Sequence, residues 1–278
     1  MKLPVNQIIC GDCLEVMRDF PDNSIDSIIT DPPYGINYKG WDKFEDFVSF
    51  TESWIKECFR ILKSTGTLWS FMSYSNIFEF VPLLEKYGYV HLENWVVWAR
   101  QKGRGSSKHL KSQREDIFHV TKSDIFTWNN IKILREVIWA YKNRDGTPRG
   151  WFINEKGERK RWTGLGNVWV FSCPFWNSKN EDSYLHPSQK PLAMMERLIL
   201  LSNNKGDIVL DSFSGSGTTC VAAKKLGRNY IGIDISPEYC ELARKRLKGV
   251  KPNIFEKLKK KKISESFGLK VKSRKRKQ

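Results

Sequence analysis

The stretch from residue 207 to residue 226 constrains the fold more than any other part of the sequence. A short apolar run at 207–211 leads at once into a turn that contains Gly215 and Gly217, and the apolar residues over 218–226 have helical spacing. A buried strand that passes through a tight turn into a helix is typical of a parallel sheet, because parallel strands need crossover helices. The stretch therefore predicts an α/β fold.

The same alternation of short apolar strands and amphipathic helices occurs at both ends of the chain. It predicts a doubly wound, mostly parallel sheet built from residues 1–100 and 183–250. Periodicity weakens over residues 101–182, which indicates an insertion, and residues 251–278 form a basic tail. The predicted strands are 7–10, 25–30, 66–71, 90–99, 207–211 and 230–235, and the predicted helices are 13–20, 47–62, 76–87, 191–201, 218–226 and 237–247.

The positive charge of the chain favours a polyanionic partner. The 47 Lys and Arg against 31 Asp and Glu give a formal net charge of +16. Residues 251–278 hold 12 basic and 2 acidic residues, so +10 of that charge lies in the tail. We expect the tail to be a mobile arm that binds phosphates without reading sequence. The alternative is a tail that only aids solubility.

Several classes of protein are disfavoured by the sequence. The six cysteines are scattered, which argues against a disulfide-rich secreted domain. Cys10 and Cys13 form a single C-x-x-C without the second pair that a zinc site needs, so no metal is expected. There is no apolar run of 18 residues and no N-terminal pattern of a secretory signal. These features predict a protein of the cytoplasm.

The glycine turn is a candidate cofactor site. Glycine allows the backbone to approach a ligand closely, and the following helix offers free N–H groups. Asp234 follows about twenty residues later, at the end of the next predicted strand, where a carboxylate can bind ribose hydroxyls. The dinucleotide pattern would need a third glycine where Cys220 stands. A cofactor with a single ribose is therefore favoured, the alternative being a tight turn without a ligand.

The second predicted strand ends in the sequence Asp31-Pro32-Pro33-Tyr34. The two prolines stiffen the turn and leave its carbonyl groups free to accept hydrogen bonds. If the Asp31 carboxylate and the Pro32 carbonyl each accept one proton of an amino group, the nitrogen lone pair is directed at a methyl donor. Tyr34 would stack on a base that has left the duplex. The alternative is an ordinary proline turn capped by Asp.

In these motifs and in their order, the chain resembles the amino methyltransferases of DNA, in particular the circularly permuted beta class. The resemblance implies that S-adenosylmethionine is the methyl donor and that the acceptor is the 6-amino group of adenine. It implies the catalytic residues Asp31, Pro32, Pro33 and Tyr34. The cofactor-binding residues that it implies are Asp12, Cys13, Ser188, Lys190, Asp211, Phe213, Gly215, Gly217, Thr218 and Asp234.

Two segments gain a role only from this resemblance. Gly11 and Asp12 are expected beside the adenine of the cofactor. Residues 186–191, His-Pro-Ser-Gln-Lys-Pro, are expected to close over its methionine end.

The resemblance also implies that the insertion reads the DNA sequence. Residues 102–182 carry basic side chains that can bind phosphates or guanine edges, interleaved with aromatic ones that could equally form the insertion's own core. These residues are Arg104, Lys108, Lys111, Arg114, Arg149, Arg159, Lys160, Arg161, Trp139, Tyr141, Trp151 and Trp162. His109 and His119 are expected to pack or to be solvated, since nothing pairs them as metal ligands.

Three other functions remain open. Methylation of the 4-amino group of cytosine more often goes with Ser at the position of Asp31, and methylation of RNA or of a protein glutamine with Asn. A nucleotide-binding regulator that binds DNA without catalysis would not need both motifs. The partners implied by the resemblance are double-stranded DNA, a cognate restriction endonuclease and a second copy of the chain, with no membrane.

Overall fold

The structure is a computed structural model, which describes residues 2–35, 46–89, 91–137, 141–172, 189–251 and 269–271. The described helices are α1 (Cys13–Arg18), α2 (Phe47–Ile61), α3 (Ile77–Lys86), α4 (Leu192–Ser202), α5 (Thr218–Lys225) and α6 (Pro237–Lys248). The described strands are β1 (Gln7–Cys10), β2 (Ile25–Thr30), β3 (Leu62–Met72), β4 (His91–Ser106), β5 (His109–Thr121), β6 (Ile131–Glu136), β7 (Phe152–Ile153), β8 (Arg159–Gly164), β9 (Val168–Phe171), β10 (Ile208–Asp211), β11 (Asn229–Asp234) and β12 (Leu269–Val271). In this part of the chain, no helix is long and apolar enough to cross a membrane.

An eight-stranded sheet is the centre of the first of two compact units, which comprises residues 1–128 and 167–252. Its strand order is β1-β11-β10-β2-β3-β5-β4-β9. The first five strands are parallel, β5 is antiparallel to both of its neighbours, and β9 is parallel to β4. This topology confirms the predicted doubly wound, mostly parallel α/β fold.

Helices cover both faces of this sheet. Ile28 of β2 belongs to a buried cluster with Met17 of α1, Trp54 of α2 and Phe80 of α3. The neighbouring Ser27 points to the opposite face, because side chains alternate along a strand, and its hydroxyl donates to the amide oxygen of Asn203, directly after α4, at 2.8 Å. Each fully buried apolar side chain stabilises such a core by roughly 1.5–3 kcal/mol. Burial on both faces explains why β2 reads as an almost continuous apolar run.

The strands and helices predicted for both halves are present, with ends shifted by up to four residues, except that β4 continues to Ser106. Strand β5 differs from the sequence interpretation, because it lies within residues 101–182 and yet pairs with β3 in the main sheet. Its buried end contains polar residues that weaken the apolar alternation. Asp116 is fully buried, and its carboxylate accepts a hydrogen bond from the Trp95 indole at 2.8 Å.

His119 of β5 is a packing residue in the interior, as expected from the sequence. Its ring stacks on that of Trp69 with centroids 4.0 Å apart. Burial lowers the pKa of His119 to about 3, so the ring is neutral at physiological pH. The side chain of His109 lies outside the described residues.

The second compact unit comprises residues 129–166 and 253–278. It contains a four-stranded sheet of order β12-β6-β8-β7, in which all three pairings are antiparallel. Strand β12 belongs to the basic tail, for which the sequence predicts a mobile arm. Three residues of the tail instead pair with β6, because a short run, Leu269–Val271, can add to that strand's edge. The remainder of the tail lies outside the described residues.

Candidate active site

The candidate site lies where four neighbouring parallel strands end. β1, β11, β10 and β2 are adjacent in this order, so their carboxyl ends form one edge of the sheet. Asp12 follows β1, Asp234 ends β11, the glycine turn follows β10 and Asp31 follows β2. The register pairs Cys10 with Asp234. Ligands of open α/β sheets bind at this edge, so the fold brings together motifs that are far apart in the sequence.

The glycine turn requires glycine for two reasons. Gly215 and Gly217 both have positive φ angles, of 49° and 77°, which side-chain-bearing residues rarely adopt. A Cβ atom on Gly217 would also lie 2.7 Å from the Cβ of Ala243 on α6. Gly217 is the N-cap of α5, and Thr218 is the buried first residue of that helix. Glycine at this position therefore lets α6 pack directly against the start of α5.

The Asp234 carboxylate fixes this turn from the neighbouring strand. Its Oδ2 accepts the Gly215 N–H at 2.7 Å, and its Oδ1 accepts the Ser236 N–H at 2.9 Å. Burial raises the pKa of Asp234, and the two backbone donors oppose that rise. An ionised carboxylate has about four acceptor positions. Asp234 can therefore accept ribose hydroxyls as well.

Asp12 and Cys13 lie at the adjacent end of β1. Asp12 is the N-cap of α1, where its Oδ1 accepts the Leu14 N–H at 2.8 Å. The preceding Gly11 donates its N–H to the Asp234 carbonyl at 3.0 Å, which joins the two strand ends. The Cys13 thiol is buried in the core, and burial raises its pKa to about 12. Only the backbone of Cys13 is suited to contact a ligand.

Asp211 lies one strand away and connects the two sequence motifs. It is buried, and its Oδ1 accepts the Thr30 hydroxyl at 2.7 Å and the Phe213 N–H at 3.2 Å. Burial raises the pKa of Asp211 to about 6, although these bonds oppose the rise. Thr30 directly precedes Asp31, so Asp211 fixes the end of β2 against the start of the glycine turn. Phe213 packs beside Trp54, with ring centroids 5.7 Å apart.

Both carboxylate oxygens of Asp31 have partners in the structure. Oδ1 accepts the Tyr34 hydroxyl, and Oδ2 lies 2.5 Å from the Lys190 Nζ. The Asp31 side chain is only 22% exposed. Pro32 is buried and Pro33 is half-buried, while the Tyr34 carbonyl accepts the side-chain amide of Asn76 at 2.9 Å. The Asp-Pro-Pro-Tyr turn is thus fixed at both of its ends.

Lys190 lies against the carboxylate of Asp31, although the resemblance implies a place for it at the methionine end of a cofactor. Its Nζ is also 3.2 Å from Oε2 of Glu115 on β5 and 5.0 Å above the ring of Phe71. Burial lowers the pKa of Lys190, but the two carboxylates outweigh burial and raise it to about 12. Lys190 is therefore protonated at neutral pH. Ser188 lies outside the described residues.

Similarity to known proteins decides the family. The sequence matches the N6/N4 family described as DNA methylase over residues 25–245. The chain belongs to this DNA methylase family. The Type II methyltransferase M.HpaI of Haemophilus parainfluenzae is 37% identical over 247 residues, which is 87% of this chain and 74% of that protein. This methylase is accordingly a site-specific DNA methyltransferase that depends on S-adenosylmethionine.

Solved structures are similar to this methylase over most of its length. A complex of M1.HpyAVI with S-adenosylmethionine has a TM-score of 0.58 at 29% identity, covering 87% of this chain and 98% of that one. The cytosine-N4-specific PvuII DNA methyltransferase has a TM-score of 0.64 at 20% identity, covering 89% of this chain and 87% of that one. The second likeness is one of fold. Together they place the methylase among the S-adenosylmethionine-dependent α/β methyltransferases.

The residues at the sheet edge fit S-adenosylmethionine. The turn at Gly217 leaves no room for a side chain, and the buried Ser214 hydroxyl beside it has no hydrogen-bond partner within the described residues. Asp234 and Asp12 offer acceptors for ribose hydroxyls and for the adenine amino group. When bound, S-adenosylmethionine supplies a methyl group on a positively charged sulfur. The protein's part is to hold an amino nitrogen in line with that methyl group and to exclude water.

Two residues of this methylase support the site without belonging to a sequence motif, and the sequence therefore did not predict them. Arg246 on α6 donates from Nη1 to the Ser216 carbonyl at 2.5 Å and to the Thr218 hydroxyl at 3.1 Å, which braces the glycine turn. Glu115 pairs with Lys190 and, through Oε1, with Arg100 at 2.9 Å. No spacing rule distinguishes such charged residues from solvated surface charges.

The residues predicted to read DNA are divided between the two units of the methylase. Lys108, Lys111 and Arg114 belong to the first unit. In the second unit, an open cavity of about 300 Å³ is lined by Val137, Tyr141, Arg149, Trp151 and Arg161. Within that unit the Trp151 indole donates to the Tyr141 carbonyl at 2.7 Å, and the Arg159 guanidinium lies 5.7 Å from the Trp151 ring. Trp139 and the side chain of Arg104 lie outside the described residues.

Proposed function

We propose that this methyltransferase modifies the 6-amino group of adenine in double-stranded DNA. The observation that carries the proposal is the half-buried ion pair of Asp31 with Lys190 at the start of the Asp-Pro-Pro-Tyr turn. A carboxylate paired with a protonated lysine at 2.5 Å is a strong hydrogen-bond acceptor for an amino proton. Serine, which goes more often with cytosine as the target, would not form this ion pair.

In the proposed reaction, the Asp31 carboxylate and the Pro32 carbonyl each accept one proton of the amino group. The nitrogen lone pair would then be in line with the methyl group and bond to it directly, so no covalent link between enzyme and base is needed. S-adenosylmethionine would supply the methyl group and keep the carbon–sulfur electron pair on sulfur, and the hydrogen-bonded Asp31 carboxylate is placed to accept the proton that the methylated nitrogen gives up. Tyr34 stacks on the base, which must leave the duplex to reach this edge.

On the cofactor side, we propose that Asp234 binds the ribose and Asp12 and the Cys13 backbone bind near the adenine. The turn from Phe213 to Thr218 would face the rest of the cofactor, while Asp211 fixes the turn. The supporting geometry is the shared edge at which these residues lie. We propose from its place in the sequence alone that Ser188 contacts the methionine end of the cofactor.

We propose that the basic and aromatic residues of 101–182 read the DNA sequence, including those that line the cavity of the second unit. Asp31 follows β2 and the glycine turn follows β10, so the catalytic motif precedes the cofactor motif in the chain. This order supports membership of the circularly permuted beta class. Because M.HpaI is named a Type II methyltransferase, we also propose that a restriction endonuclease with the same recognition sequence accompanies the enzyme.

The test is to identify the modified nucleoside. Plasmid DNA from cells that express the protein is digested to nucleosides and analysed by mass spectrometry, with the Asp31→Ala variant as the control. N6-methyladenine that is absent from the control supports the proposal. N4-methylcytosine alone would show that the target base is cytosine and not adenine. No DNA modification despite binding of S-adenosylmethionine would contradict the proposed reaction. Sequencing around the modified bases gives the recognition site.

A further inference from the structure

Four charged side chains of alternating sign form a row that starts at the catalytic turn. Asp31 contacts Lys190 at 2.5 Å, Lys190 contacts Glu115 at 3.2 Å, and Glu115 contacts Arg100 at 2.9 Å. These side chains are between 11% and 26% exposed, so water screens them only partly. Their formal charges cancel, and all four residues lie in the first unit. The row connects the turn after β2 to the β4–β5 hairpin.

The two partners of Asp31 differ in how readily an incoming amino group can replace them. Lys190 is charged, only 11% exposed and held by a second carboxylate, so separating it from Asp31 would leave the Asp31 carboxylate without its charged partner. Breaking an ion pair that is largely removed from water is strongly unfavourable. The Tyr34 hydroxyl is neutral, and its bond to Oδ1 can be exchanged for another at much lower cost. The hydrogen bond to Oδ1 is therefore the one that an incoming amino group can replace more readily.

We propose that Lys190 is a positioning residue for Asp31 and that Glu115 holds Lys190 in that place. When the substrate binds, the target amino group replaces the Tyr34 hydroxyl as the hydrogen-bond donor to Oδ1. The proposal deepens the proposed function, on which it rests in taking Asp31 as the acceptor of the amino group. Lys190 contacts neither the base nor the methyl group. It fixes the plane of the carboxylate, so that Oδ1 points at the position of the base. Glu115 and Arg100 make the placement of Lys190 independent of the substrate.

Substitution of Lys190 separates this role from a contact with the cofactor. For Lys190→Met we expect kcat to fall on the order of 100-fold, since small displacements of a reacting group have effects of that size, while the Kd for S-adenosylmethionine is unchanged. Lys190→Arg, which retains the charge, should recover much of the activity. The matched control is Lys63→Met, because Lys63 pairs with Asp26 at 2.6 Å at the opposite end of β2. This control should leave both kcat and Kd at their wild-type values.

Two results would overturn the assignment. One is a raised Kd for S-adenosylmethionine in Lys190→Met with wild-type kcat at saturating cofactor, which would assign Lys190 to the cofactor. The other is a kcat for Lys190→Met that equals that of Lys63→Met. Thermal unfolding of each variant shows whether it is folded. If Lys190→Met does not fold, Glu115→Gln is the deciding variant, because it keeps both Asp31 and Lys190. Glu115→Gln should lower kcat without changing the Kd for S-adenosylmethionine. A wild-type kcat in Glu115→Gln would refute the proposal.

Tyr34→Phe tests the part that concerns Oδ1. This variant keeps the ring and removes the hydroxyl that competes for Oδ1, so we expect a lower KM for DNA. An unchanged or raised KM would refute the assignment of that oxygen. All rates are measured on the base that the wild-type enzyme modifies. If that base is cytosine, the proposed adenine specificity is wrong, but the role of Lys190 is still tested. If Asp31→Ala keeps its activity, the role of Asp31 as the acceptor of the amino group is wrong.

Discussion

At the scale of single residues, we expect methyl transfer to depend most on Asp31. We expect Asp31→Ala to abolish transfer, because the amino group loses its charged acceptor and Lys190 keeps only Glu115 as a partner. Binding of S-adenosylmethionine should be almost unchanged, since the proposed cofactor residues lie at the carboxyl ends of β1, β10 and β11. Incorporation of labelled methyl groups and equilibrium binding measure the two effects. Asp26→Ala, at the other end of β2, is the control, and near-normal turnover of Asp31→Ala would contradict the mechanism.

Asp211 makes stability depend on pH. Its pKa is raised by burial from 3.8 to about 6, so the folded state holds the proton more tightly than the unfolded state does. The stabilisation that comes from protonated Asp211 is therefore fully present below the ordinary pKa of 3.8 and is lost as the pH rises through about 6. Asp211→Asn is neutral throughout and keeps Oδ1 as acceptor for Thr30 and Phe213.

Urea unfolding between about pH 4 and pH 7 tests this effect. The stability of Asp211→Asn relative to the wild type should increase over that interval by on the order of 2–3 kcal/mol, the size of a shift of about two pKa units. The exposed Asp19, changed to Asn, is the control and should show no such trend. A constant difference between Asp211→Asn and wild type would mean that Asp211 does not titrate in this range.

At the scale of elements, the packing of α6 on the glycine turn is sensitive to a single methyl group. We expect Gly217→Ala to lower stability and to raise the Kd for S-adenosylmethionine, because the new Cβ would lie 2.7 Å from that of Ala243. Gly227→Ala is a matched control, with a φ of +72° against +77° and no atom within 4 Å of its Cβ. Both variants bear the backbone cost of about 1–2 kcal/mol. Calorimetry and cofactor binding should show a larger effect for Gly217→Ala, and equal effects would exclude the clash.

How far the sequence predicts the elements depends on where their side chains are buried. β2 and β10 are buried on both faces and read as apolar runs, so both were predicted together with the turns that follow them. β5 was missed because Arg114, Glu115 and Asp116 stand where apolar alternation would be expected. The contact of Glu115 with Lys190 joins residues 75 positions apart. Such a pair depends on the register of β5 against β3, which no local pattern records.

At the scale of the whole molecule, charge and chemistry lie in different parts of the chain. The four strand ends that form the candidate site belong to residues 1–128 and 167–252, whereas most of the net positive charge lies in residues 251–278. Phosphate contacts add affinity that is independent of sequence and sensitive to salt, while base contacts carry the specificity. The tail and the site should therefore respond to mutation independently.

Neutralising the end of the tail tests this separation. Five basic residues follow β12, namely Lys272, Arg274, Lys275, Arg276 and Lys277, and replacing them with Gln leaves β12 itself intact. We expect DNA affinity to fall equally for specific and unrelated duplexes, and the slope of log K against log salt to become shallower, by about 0.9 for each phosphate that the tail no longer neutralises. The modified sequence and the kcat at saturating DNA should be those of the wild type. Fluorescence anisotropy across a salt series measures the slope. An unchanged slope would show that the tail only aids solubility, and an altered recognition sequence would show that it reads bases.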